Sequence, residues 1–132
     1  MAKDYLINEG NQIGYMDSSF DTGLNLIQKK LVAGADLQKG QVVYISGDMT
    51  VSPTTGPSPA VLGVAMLNAK AGQPIAVECE GLFKLTAGGS ITAGNKVTSA
   101  AGGKVAAGTE NTIGVALNDA TADGDVYVKF AL

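Results

Sequence analysis

Glycine punctuates this chain so closely that no long regular element can form. Eighteen of the 132 residues are glycine, and past residue 31 they divide the sequence into short apolar runs. Short β-branched runs separated by turn signals at intervals of roughly 8–12 residues mark an all-β sandwich or barrel. No segment past residue 31 keeps a 3.6-residue apolar period over three turns, so helices are not expected there.

The runs read in order as strands. Gln41-Val42-Val43-Tyr44-Ile45 is β-branched and aromatic, and Ser46-Gly47-Asp48 ends it. The stretch from Ser52 to Pro59 holds three prolines and reads as a loop, because proline cannot donate to a central ladder. Val61 to Met66 is a second apolar run. Pro74 to Glu80 alternates, with Ile75, Val77 and Cys79 on one face and Glu78 and Glu80 on a solvated one. Runs at 82–85, 95–98, 104–106, 112–117 and 125–130 follow. In the last, Val126, Val128 and Phe130 share a face opposite Asp125, Tyr127 and Lys129.

The sequence also echoes itself. Leu62-Gly63-Val64-Ala65, a polar turn with Gly72 and a strand at Ile75 are matched by Ile113-Gly114-Val115-Ala116, a turn with Gly124 and a strand at Val126. Matching glycine to glycine inserts one residue in the second turn. Upstream, the corner at Gly40 parallels a corner at Gly94. The expectation is a pseudo-duplicated β unit, small and barrel- or sandwich-like, with glycine-rich turns. Gly63 and Gly114, lying inside strands, imply a bulge or a close backbone approach.

Composition shifts near residue 31. Residues 1–30 are polar, with scattered apolar pairs, and hold too few apolar side chains for a core of their own. They read as an extended N-terminal arm ahead of a body at 31–132. Leu24, Ile27 and Leu31 have helical spacing, but over too short a stretch to be stable alone. The handles by which the arm would dock are Tyr5, Ile7, Ile13, Tyr15, Phe20 and Leu24, with strand addition to an exposed sheet edge as the mode.

Missing residue types exclude much chemistry. There is no histidine and one cysteine, Cys79, so Ser-His-Asp and Cys-His catalysis and the usual zinc sets are out. All nine basic residues are lysine, which removes the bidentate readers of phosphate and guanine. With a net charge of −3, neither nucleic acid nor an anionic membrane is an expected partner. A lone cysteine gives no intrachain disulfide and favours synthesis in the cytoplasm. No leader peptide or membrane-spanning run is read in the sequence. Gly102-Gly103-Lys104 lacks the Ser or Thr and the helix of a phosphate loop and reads as a turn. Asp119, Asp123 and Asp125 lack the closing Glu of a calcium loop and read as a charged hairpin tip. No catalytic, cofactor or metal site is expected.

The succession of motifs from Gly40-Gln41-Val42-Val43 through Leu62-Gly63-Val64-Ala65, Ile75-Ala76-Val77-Glu78, Gly81-Leu82-Phe83-Lys84-Leu85, Ile113-Gly114-Val115-Ala116 and Gly124-Asp125-Val126-Tyr127-Val128-Lys129-Phe130 resembles the small capsid cement, or decoration, proteins of tailed bacteriophages. The resemblance covers about 100 of the 132 residues. It implies a non-enzymatic virion protein, made in the host cytoplasm and added to the outer surface of a capsid. It also implies a homotrimer that holds neighbouring major capsid protein subunits together. Asn95-Lys96 departs from the family pattern at the Gly94 corner, which implies that this corner is remodelled. The competing reading is a receptor- or carbohydrate-binding module on a virion surface. Such sites stack sugars on exposed aromatics, and this chain has no Trp and four Tyr.

Overall fold

The computed structural model describes residues 31–132, and every one of the six arm handles lies outside them. The described residues are all-β, as expected. Five strands make the first sheet: β1 (Val32–Ala33), β2 (Val42–Gly47), β3 (Thr50–Pro53), β4 (Val61–Ala65) and β5 (Val77–Glu78), in the order β1-β3-β2-β4-β5. Five more make the second: β6 (Gly81–Thr86), β7 (Lys96–Ala100), β8 (Lys104–Ala107), β9 (Thr112–Ala116) and β10 (Asp125–Phe130), in the order β6-β10-β9-β7-β8. A single 3-10 turn, Ala101–Gly103, joins β7 to β8 where the glycine pair stands, with Gly102 and Gly103 both at positive φ.

The duplication is written into the hydrogen-bond register. Val43 pairs with Pro53 in the first sheet and Val97 with Ala107 in the second, each 54 positions on. Val42 faces Val64, and Lys96 faces Val115. Both central pairs carry a register shift at the same place, after Val43 and after Val97. Val64 faces Glu78, and Val115 faces Lys129, 51 positions on. The corners match as well. Gly40 donates to the Ala65 carbonyl and Gly94 to that of Ala116, both at 2.8 Å, and both glycines have φ near +90°. The side-chain carbonyl of Gln41 accepts from the Gln38 amide (2.8 Å), and that of Asn95 accepts from Thr92 (3.0 Å). The second corner is therefore not remodelled: asparagine closes it by the same bond as glutamine.

Two other expectations are corrected. The turn before β10 contains no inserted residue. Asp123 takes the positive φ (66°) that Gly72 takes in the first repeat (89°), and the glycine has moved one place along. The second correction concerns the proline-rich stretch, which begins inside a strand. Pro53 is the last residue of β3, and its neighbour's amide, on Thr54, resumes bonding to the Val42 carbonyl at 3.1 Å. With Thr54 bonded across to Val42, Pro53 opposite Val43 falls at the pair that exchanges no hydrogen bonds, so its missing amide proton costs β2 nothing.

Alternation along the strands makes two apolar clusters. Leu31, Ala33, Leu37, Val43, Val51, Ala65, Ala69, Ile75 and Val77 form the first. The second holds their repeat-equivalents, among them Leu85, Ile91, Val97, Val105, Ala116, Val126 and Val128. Among its additional residues, Val42, Val61 and Val64 come from the first sheet. Val42 and Val64 are paired neighbours and lie on the opposite face of that sheet from Val43 and Ala65. The first sheet thus buries both faces, one over each cluster. Each such side chain contributes about 1.5–3 kcal/mol on burial.

Candidate functional site

In the second sheet the opposite face is open. The pleat sends Phe83, Leu85, Val97, Ala116, Val126 and Val128 inward, and their neighbours outward. Register then sorts the outward residues into rows. Leu82 pairs with Lys129, Lys129 with Val115 and Val115 with Lys96, so one row crosses β6, β10, β9 and β7. Lys84 pairs with Tyr127 in the next row. The Leu117 amide donates to the Tyr127 carbonyl at 2.7 Å, which sets Leu117 across from Tyr127. Leu82 is 68% exposed, Leu117 51% and Tyr127 50%, against 38% for Val115. These values are high for apolar side chains, and the four sit together on one face.

Charge on this face is of one sign in the middle and mixed at one end. Lys96 and Lys129 flank Val115, and Lys84 lies 4.0 Å from Asp125 in an exposed, weak pair. Three of the six lysines among the described residues lie here, on a chain whose net charge is −3.

Other expected features fall elsewhere. Glu78 and Glu80 are exposed, as read from the alternation. Asp119, Asp123 and Asp125 do not converge. Asp119 accepts from the Ala93 amide (2.8 Å), Asp123 pairs with Lys104 (2.6 Å), and Asp125 turns to Lys84. Among the described residues no group of three or more acids or cysteine is placed to hold a metal ion. Cys79 is half-buried, and its thiol pKa is raised, first by burial and then by the charges of Glu78 and Glu80. A raised pKa keeps it as the thiol, the unreactive form.

The loop after β3 is tied to the second repeat. The buried Ser99 hydroxyl donates to the Gly56 carbonyl (2.8 Å) and accepts from the Ser58 amide (3.1 Å). The Thr54 hydroxyl, also buried, donates to the Ala100 carbonyl at 2.8 Å. The sequence placed Asp125, Tyr127 and Lys129 on one face but not Leu82, Lys96, Val115 or Leu117 beside them. Strand order was the missing information, and the repeat alignment, which sets Lys96 against Val42, was the signal that held part of it.

A family model described as phage cement protein matches residues 21–132. Among solved structures, the N base of head fiber gp8.5 in bacteriophage phi29 superposes with a TM-score of 0.60 at 18% identity, covering 76% of this chain and 90% of that one. At that identity the likeness is one of fold. No curated protein matches the sequence.

Proposed function

The chain belongs to the phage cement protein family, which makes it a capsid-associated structural protein of the virion, and on that premise we propose that it binds the outer surface of a phage capsid and stabilises contacts between major capsid protein subunits, without catalysis. The observation that carries this reading is the family match over residues 21–132, which takes in every described strand. A head fiber base with the same fold is consistent with it.

The physical requirement on such a protein is to hold several shell subunits at once. A homotrimer meets it, because three linked weak contacts bind far more tightly than one. Residues 1–30 form the arm in this reading, with Tyr5, Ile7, Ile13, Tyr15, Phe20 and Leu24 as its capsid-binding handles and the body at 31–132 as its base. A segment that orders on docking covers wide surface with few residues, at an ordering cost.

The test uses purified full-length chain and a chain lacking residues 1–30, each mixed with undecorated capsids and sedimented. The full chain co-sediments and the shortened one, still folded, stays in the supernatant. Binding of the shortened chain with undiminished affinity contradicts the arm assignment, and a monomeric mass in solution contradicts the trimer.

A further inference from the structure

We propose that the outward face of the second sheet, built on Leu82, Lys129, Val115, Lys96, Tyr127 and Leu117, is a second docking surface that takes a carboxylate-bearing patch of the capsid shell protein. The proposal rests on the capsid-binding reading above and adds a surface to it.

The internal repeat carries the argument. In the first repeat the positions equivalent to Lys96 and Val115 are Val42 and Val64, and both are buried against the second cluster. This face of the repeat unit is therefore one that mates with another body, and in the second repeat it stands open. Its chemistry has changed along with its partner. Lys96 stands where the first repeat has Val42, Lys129 where it has Glu78, and Tyr127 where it has Ala76. Leu82, Val115, Leu117 and Tyr127 stand exposed among the lysines, with Lys129 between Leu82 and Val115, so this face sets a group of exposed apolar side chains beside concentrated positive charge.

Two observations select the occupant. A further copy of the chain would extend the stack by seating this face over the first cluster of its neighbour. Every member of that cluster is already at most 7% exposed, so it offers no open mouth to receive it. The local charge is cationic on an acidic chain, through Lys84, Lys96 and Lys129, with no acid on these two rows and Asp125 on the next, opposite Thr86. The complementary patch carries carboxylates opposite the lysines, with apolar groups between them.

The experiment measures binding of the full-length chain to undecorated capsids. The variant K84E/K96E/K129E is compared with K70E, whose exposed lysine pairs with Asp36 in the turn between β4 and β5. Charge reversal at three positions on the face weakens capsid binding on the order of tenfold or more, while K70E leaves it unchanged. Equal melting temperatures of the three proteins establish that folding is intact. Salt reads the same claim without any substitution, since binding of the unaltered chain weakens as ionic strength rises. Undiminished binding by the triple variant, or binding indifferent to salt, overturns the proposal and leaves the capsid reading standing. A triple variant that loses its oligomeric mass but keeps its capsid affinity also overturns it, by making the face a contact between copies. Failure of the unaltered chain to bind capsids removes the capsid reading itself.

Discussion

Gly63 and Gly114 hold equivalent places in β4 and β9, and neither position admits a side chain. A Cβ at Gly63 would strike the carbonyl oxygen of Glu78, and one at Gly114 that of Lys129. Both oxygens belong to the neighbouring strand, so relief would require the ladder itself to shift. Gly63→Ala and Gly114→Ala are each expected to cost about 1–3 kcal/mol, as overpacking does. The readout is a lower denaturant midpoint with an unchanged slope. Gly89→Ala, with nothing within reach of the added carbon, serves as the neutral comparison. Cys79 makes a separate prediction. Burial and the charges of Glu78 and Glu80 raise its pKa, so at a given pH the folded protein holds less thiolate than a free cysteine does. Iodoacetamide therefore reacts more slowly with it than with a cysteine peptide at pH values near the ordinary thiol pKa of about 8.5. Its half-maximal rate is reached at higher pH, and E78Q/E80Q moves that midpoint part of the way back. A rate profile matching the peptide's would contradict the assignment.

Among the elements, the segment from Thr54 to Ala60 between β3 and β4 shows how a few polar bonds fix an irregular stretch. Ser99 is fully buried at the β7 end of the second repeat, and its hydroxyl satisfies both the Gly56 carbonyl and the Ser58 amide. Ser99→Ala leaves two backbone groups without that partner and is expected to cost about 1–3 kcal/mol, measured by thermal or denaturant unfolding. A change smaller than that of an exposed substitution such as Ser90→Ala would show the loop to be held by other means. The same scale explains what was legible in the sequence. Alternation at 125–130 and the apolar runs at 61–66 and 112–117 gave β10, β4 and β9, because each buries one face or both and so keeps its pattern. β3 was hidden because its last residue is proline, and two-residue β1 is too short to have a period. β5 was overdrawn from the alternation at 74–80. Its ladder is confined to Val77–Glu78, with an isolated bridge from Pro74 to Val32. The repeat itself was legible from the glycines, yet glycine alone misplaced one residue of the last turn. Asparagine and aspartate tolerate the left-handed region too, and Asp123 had taken the glycine's place there.

For the whole molecule, two copies of one unit are joined in a single direction. The first lays its outer face over the second's cluster through Val42, Val61 and Val64, and the second leaves the corresponding face open. No residue sequence without strand order could reveal that face, because Leu82, Lys96, Val115 and Tyr127 come from four strands that are scattered along the chain. Charge screening distinguishes its use from that of an apolar arm. Contacts through Lys84, Lys96 and Lys129 weaken with salt, and contacts through buried apolar handles do not. In the function proposed above, the protein acts by binding and holding a shell. The most direct measurement is the temperature at which capsids come apart, taken with and without saturating full-length chain. The chain is expected to co-sediment with the shells and to raise that temperature. Shells that disrupt at the same temperature with the chain bound, or that never bind it, would contradict the account.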